Sequence, residues 1–412
     1  MSPIRALERE DLPAVCRLYE RVFRSGTADP PPQLLGYFER TFIDCPWADP
    51  SIPSLVYEDS DGKIVGFIGS HARRLRIDGR PIRMGCSGPL VAAPEARNRG
   101  VGALLLRRYL AGPQDITITD AATDTVRRME VGLGGQVLVH ASIGWTKVFR
   151  PGAALASWLS HRHRWPMLAR LVGLVAPVLD AAAPMLDSAA PGRLRRRAGL
   201  VQAQPDAQAV PLTVDALLEQ MGNAARTLRL HPDYDAEYLH WLFSELEAVD
   251  FRGVPVRHLV YDRSGRVAGW YVYYLTPGGI AQVLQIAAPT GSADLVLDHL
   301  FWHAANGGAA AVQGRIEPAL LGPLRSHWCL LSRSQLALVY TEDQILLGLL
   351  GSPKSLLTRL EGEWWMGHRL LWRGGGHSMS TSPRQLAGEA WSVVEPLAGD
   401  TFDEDGAGWC SS

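Results

Sequence analysis

Lysine is almost missing from this chain: of 41 basic residues only Lys63, Lys147 and Lys354 are lysine, and the rest are arginine. Balanced by 42 acidic residues, they leave a net charge of −1, which gives no bulk attraction to nucleic acid. Cysteine is sparse as well. Cys16, Cys45, Cys86, Cys329 and Cys410 form no C-x-x-C pair and are too few for a disulfide framework, so a reducing, cytoplasmic setting is expected. No signal-peptide pattern and no apolar run long enough to span a bilayer is read. Zinc-type Cys/His spacing is absent, and "HRH" at His161 to His163 lacks the partners of a metal site, so no metal is expected. The G-x-S-x-G of serine hydrolases, the P-loop and the dinucleotide G-x-G-x-x-G are absent too.

What is present is "PEARNRGVG", residues 94 to 102, at the head of the amphipathic run "VGALLLRRYL". A helix start leaves its first N–H groups unpaired and carries the positive end of the helix dipole. Glycines there let an anion reach the bare backbone, so strand, glycine loop and helix in this order ask for a phosphate. Arg97-x-x-Gly100-x-Gly102 resembles the acyl-CoA-binding motif of the GCN5-related N-acetyltransferases (GNAT).

The resemblance runs over roughly the first 150 residues. "IRALEREDLPAVCRLYERVF" reads as a strand and a helix with Leu12, Val15, Leu18, Tyr19 and Val22 on one face. "PPQLLGYFERTFI" offers a second helix. "SLVYEDSDGKIVGFIGSHARRLRIDGRPIRMGCSG" reads as strands separated by turns at "SDG" and "DGR". After the arginine-rich helix come the strand "DITITDA", the helix "TDTVRRMEVGLGG" and a closing strand in "QVLVHASIGWTKVF".

The resemblance implies a mixed, mostly antiparallel α/β (α+β) sheet flanked by helices, with acetyl-CoA or another acyl-CoA as donor. The pyrophosphate would meet Arg97, Asn98, Arg99, Gly100, Val101 and Gly102, and the backbone of Leu90 and Val91 would hold the pantetheine. The family's Asn-x-x-Ala-x-x-x-Tyr-x-x-x-Gly stretch falls on Thr123, Val126, Glu130 and Gly134. Thr123 thereby joins the donor site, and Glu130 stands where a tyrosine that protonates the departing thiolate is expected. A buried glutamate with a raised pKa could supply that proton, whereas an exposed one would have no catalytic part. The general base is open among His71, Asp120, Asp124 and His140, of which Asp120 and His140 join Glu130 as catalytic candidates. An acyl-enzyme on Cys86 ranks below direct transfer, because no His/Asp pair is placed beside it.

From about residue 206 the pattern restarts. "VRHLVYDRSGRVAGWYVYYLTPGGIAQVLQIAA" repeats the strand-turn-strand-strand order of the first segment. A second GNAT-like lobe is expected, yet "APTGSADLVLDHL" lacks the arginine and paired glycines, so it should bind no CoA. The chain divides into a CoA-binding domain at 1–150, an apolar and basic helical linker at 151–205, a degenerate lobe at 206–350 and an extension with a flexible tail at 351–412. The linker's short, kinked helices suit domain packing first, an acyl-chain tunnel involving Leu171 and Leu174 second, and a membrane surface met by Arg162, Arg164, Arg170 and "RLRRR" third. Trp364, Trp365 and Trp372 read as core or seam anchors.

The expected activity is acyl transfer from acyl-CoA, or from an acyl carrier protein with the same phosphopantetheine arm, to the amine of a small molecule or peptide. A non-catalytic acyl-CoA sensor is the alternative. Oligomeric state is not legible.

Overall fold

The computed structural model describes residues 3–23, 30–161, 166–188, 202–249, 252–289, 291–357 and 359–360. The tryptophan-rich extension, the tail, "RLRRR", Arg162, His163 and Arg164 lie outside them.

In chain order the first half holds β1 (Ile4–Ala6), α1 (Leu12–Phe23), α2 (Pro32–Phe42), β2 (Leu55–Glu58), β3 (Ile64–Ile77), β4 (Arg80–Ala92), α3 (Pro94–Arg97), α4 (Val101–Leu110), β5 (Ile116–Ala122), α5 (Asp124–Gly132), β6 (Gln136–Val137) and β7 (Ile143–Val148). The helices α6 (Pro151–His161) and α7 (Pro166–Ser188) follow. The second half holds β8 (Gln208–Pro211), α8 (Val214–Ala224), β9 (Leu230–Pro232), α9 (Ala236–Glu247), β10 (Val254–Tyr261), β11 (Val267–Leu275), β12 (Ile280–Ala287), α10 (Ala293–Asn306), β13 (Ala311–Arg315), α11 (Leu321–Ser326), β14 (Leu330–Arg333), β15 (Leu336–Tyr340) and α12 (Gln344–Leu350).

Local chemistry explains most of these elements. The apolar face of α1 buries Leu12, Val15, Leu18 and Tyr19. The β2–β3 turn closes because the Asp59 carboxylate accepts from the Asp61 and Lys63 amides while Gly62 takes φ +73°. Asp262 does the same for Ser264 and Arg266 in the β10–β11 turn of the second half.

Two mixed sheets result, as expected for two GNAT-like lobes. One runs β1-β2-β3-β4-β5-β15-β6 with β9 added to β3, and the other runs β14-β7-β13-β12-β11-β10-β8. In each, an antiparallel meander ends in a single short parallel pair. Met84–Cys86 pair with Ile116–Ile118 in the first sheet, and Ile280–Gln282 pair with Ala311–Gln313 in the second.

The sheets do not follow the chain order expected of separate lobes. "QVLVHASIGWTKVF" splits: Gln136–Val137 stays at the edge of the first sheet, while Ile143–Val148 runs between β13 and β14 of the second. In return β15 crosses into the first sheet between β5 and β6. A 3-10 turn at His140–Ser142 redirects the chain, and Trp145 is then buried with its indole N–H donated to the Arg315 carbonyl at 2.9 Å. Apolar alternation marks a strand as buried but does not say against which sheet. Part of the core is likewise common to both halves, since one apolar cluster runs from Leu12 and Phe38 to Leu242 and Leu284.

A buried ion pair fastens this exchange. Opposite β15 the β5 ladder shifts register, and Ala121, a non-glycine residue, takes φ +63°. Asp120 is thereby aimed at Arg315 of β13, which also donates to the Ala141 carbonyl at 3.2 Å. On the far side Trp47 stacks on Tyr238 with centroids 3.7 Å apart and donates to Asp235 at 2.8 Å. Removing only the carboxylate charge should leave the buried Arg315 cation without the Asp120 counter-charge, at a cost of about 3–5 kcal/mol. Asp120→Asn is therefore expected to lower the urea midpoint of one cooperative transition, and two separate transitions in the wild type would contradict a shared core.

Candidate active site

Beyond Cys86 and Ile118 the strands β4 and β5 no longer pair, and each runs on alone, to Ala92 and to Ala122. Leu90 and Val91 lie on this free stretch of β4, held from the other side by Ile68 and Phe67 of β3. Their edge toward β5 has no strand partner, so backbone groups there are open to an extended ligand.

At the mouth of the gap α3 ends in a turn closed by Arg99 and Gly100 amides on the Ala96 and Arg97 carbonyls. Gly100 sits left-handed at φ +70°, ψ +20°, and no side chain caps α4. The N–H groups of the first turn are thus left without intrahelical partners. A Cβ on Gly100 would meet nothing within 4 Å, and one on Gly102 would meet only Leu90 Cδ2 and Met129 Cε, each at 4.0 Å. Arg97, Asn98 and Arg99 are exposed around this opening, and Val101 is buried beneath it. Here the sequence-derived donor loop is brought together with Leu90. Thr123 plays a different part: its hydroxyl caps α5 by accepting from the Val126 amide.

The floor of the gap is polar and buried. Ser87 Oγ and Thr119 Oγ1 lie 2.6 Å apart, joining β4 to β5 one residue past their last paired positions. Thr119 in turn donates to Glu130 Oε2 at 2.7 Å. Glu130 is fully buried, and its Oε1 meets no hydrogen-bond partner among the described residues. Burial raises its pKa to about 7, and the Thr119 hydroxyl opposes that rise. When Glu130 is ionised, Thr119 donates to it and Ser87 in turn donates to Thr119.

Tyr109 stands close by on α4, where Gly85 leaves room for its hydroxyl. Ser70 donates to the Ile52 carbonyl at 2.7 Å, so the Tyr109 hydroxyl, 2.9 Å from Ser70 Oγ, donates to Ser70. Burial raises the Tyr109 pKa strongly, which keeps it a phenol whose proton is already committed. Ser87, Thr119 and Tyr109 were not singled out in the sequence; only the Thr117/Thr119 alternation in "ITITD" hinted at a polar strand face.

The other catalytic candidates are not gathered here. Asp120 is consumed by Arg315. His140 packs near Gly351, bonded to the Leu350 carbonyl, and burial followed by the charge of Arg359 lowers its pKa. Asp124 is held by Arg127 at 2.9 Å, which lowers its pKa. His71 is buried opposite Cys86 in the β3–β4 ladder, against the Phe42 ring. Leu171 and Leu174 of α7, the residues named for an acyl-chain tunnel, face outward, 60% and 77% exposed. Among the described residues no group of His, Cys, Asp or Glu is arranged to hold a metal.

Residues 3–115 match the family model described as acetyltransferase (GNAT) domain. No curated protein matches the sequence. Among solved structures, a GCN5-related N-acetyltransferase from Anabaena variabilis ATCC 29413 aligns with TM-score 0.51 and 12% identity over 82% of this chain and 72% of that one. A GCN5-related N-acetyltransferase from Kribbella flavida aligns with TM-score 0.48 and 16% identity, covering 82% and 70%. N-myristoyltransferase of Saccharomyces cerevisiae with bound myristoyl-CoA gives 0.44 and 10%, covering 82% and 78%.

A carboxyl whose folded pKa lies above its unfolded value holds its proton in the folded state between pH 4.5 and about 7. Its stability contribution is complete below the unfolded pKa and is lost as pH rises through the folded one. Glu130→Gln should therefore melt like the wild type near pH 5 but several degrees higher above pH 8, on the order of 3–6 °C. Equal melting temperatures across that range would place an ordinary, ionised glutamate at this position.

Proposed function

We propose that this chain, whose residues 3–115 match the acetyltransferase (GNAT) domain model, transfers an acyl group from acyl-CoA to an amine by direct attack in a ternary complex. The observation that carries this reading is the gap between β4 and β5, with an uncapped glycine helix start at its mouth and the protonatable Glu130 at its floor. The pyrophosphate sits on the first-turn amides of α4, with the exposed cations Arg97 and Arg99 beside it. The pantetheine lies along Leu90 and Val91, which brings the thioester to the point where the strands part. The neutral amine adds to the thioester carbonyl, the tetrahedral adduct collapses, and the C–S bond breaks. Glu130 gives its proton to the departing sulfur, the carboxylate so formed is met at Oε2 by the Thr119 hydroxyl, and the proton released by the adduct's nitrogen returns to that carboxylate, which resets the acid.

The donor is acetyl-CoA or a longer acyl-CoA; an acyl carrier protein presents the same arm. The acceptor is an amine of a small molecule or peptide, and the setting is the cytoplasm. A base is not required of Asp120 or His140 in this scheme, since the carboxylate left on Glu130 takes the proton that the adduct's nitrogen releases.

The second lobe is assigned no donor site. Its strands β12 and β13 also part, but Gln285 spans the gap to Glu317 at 3.0 Å and accepts the Arg359 amide at 2.8 Å. The helix that follows, α10, begins without an arginine or paired glycines before it.

Calorimetry of CoA binding should give one site per chain, and Gly102→Val should weaken it about tenfold or more with the melting temperature kept, because position 102 is helical and open. Gly100 is the poorer test, as its left-handed φ strains any β-branched replacement. Two sites, or unchanged affinity, would contradict the proposed loop. Steady-state rates should separate an enzyme from a binder: Glu130→Gln lowers kcat by about 10²-fold or more, with KM for the donor little changed. Thr119→Val should move the alkaline limb of the rate profile to higher pH, and Thr119→Ser should restore it. Turnover indifferent to Glu130 would return it to a structural part, and no thiol release from any amine would favour the sensor reading.

A further inference from the structure

The helix α7 rests on α6 through small residues. Ala176 is buried, and a Cβ on Gly152 would fall 2.5 Å from the Ala176 carbonyl oxygen, so only glycine lets the two backbones meet. Asp180 secures the contact, its carboxylate accepting from the Gly152 and Ala153 amides at 2.7 and 3.2 Å. The one acidic group in the middle of α7 is thereby turned inward onto the start of α6.

The outward side is apolar. Leu174 is 77% exposed, Val178 71%, Leu171 60%, Val175 51% and Leu168 42%. At 100° per residue these five fall within an arc of about 120°, on the side opposite Ala176. The stripe therefore points directly away from the body of the protein, with exposed Arg170 at its border. Five large aliphatic side chains in one such stripe mark an interaction surface.

We propose that this face of α7 docks on an anionic lipid surface, the helix lying in the plane of the interface. Charge favours that occupant. The chain from Arg150 to Arg197 carries eight arginines against Asp180 and Asp187, a local excess of six positive charges in a protein of net −1. Shape favours it too: no helix among the described residues is long and apolar enough to cross a membrane, so contact with lipid is along the surface. A second copy fits less well. The stripe runs only about 15 Å along the helix, short of the ~800 Å² per partner that a stable dimer buries.

The test is flotation of the full-length protein with vesicles of phosphatidylcholine alone, and with about one third phosphatidylglycerol, at low and high salt. The wild type should float with the anionic vesicles, about tenfold or more above neutral ones, and lose part of that at high salt. Leu174→Asp with Val178→Asp should cut the bound fraction about tenfold or more, since both aliphatic side chains would leave water for the acyl boundary and a carboxylate would not. Both positions are exposed, so the melting temperature should not move. Wild-type protein that stays in the aqueous layer with anionic vesicles would overturn the proposal. So would a double variant that floats as well as the wild type, or a wild-type dimer in light scattering that the double variant converts to monomer.

Discussion

The parting of β4 from β5 depends on a strand from the other half of the chain. A strand that leaves one neighbour is held only by the backbone groups on its other edge, so that edge must stay paired. Here β15 pairs with β5 from Thr117 to Ala122, covering the stretch where β4 has already turned away. The gap is affordable because the far edge of β5 is closed. The first lobe thus owes its cleft to residues 336–340, and the second receives β7 in exchange, so neither sheet is complete without the other.

That arrangement also explains why the carboxyl at the floor of the cleft keeps its proton near neutral pH. Glu130, on α5, is fully buried, and burial outweighs the single hydroxyl that favours ionisation. It is a stronger acid than Tyr109, whose proton is both harder to remove and already given to Ser70. The Ser87–Thr119 chain has a second use: it ties β4 to β5 where their backbone ladder ends, so the apex of the gap and the orientation of the acid are set by the same two hydroxyls.

The two gaps show how one topology is opened or shut by side chains. In the first lobe glycines and short hydroxyl residues leave space between the parting strands. In the second, the longer Gln285 and Glu317 reach across the space and the backbone of Arg359 fills what remains. Glu317 is also protonated near neutrality by burial, yet it is bonded within the gap rather than facing one.

What the sequence determined alone is local: the glycine helix start, the turns at Asp59 and Asp262, the amphipathic helices and the repeat of the strand pattern. Each is written in residues a few positions apart, where backbone preference and side-chain reach act directly. Glu130 was reached in the sequence only through the family resemblance, which sets it where a tyrosine is expected. Its protonation was not legible, because that comes from burial in the assembled fold, which outweighs the opposing hydroxyl of Thr119. Asp120 looked like a base until the fold set it on Arg315, 195 residues distant, and His140 until it met α12. The sheet to which β7 belongs was decided at the same range, since a buried strand pairs equally well with any open edge and only the assembled tertiary structure says which edge is there.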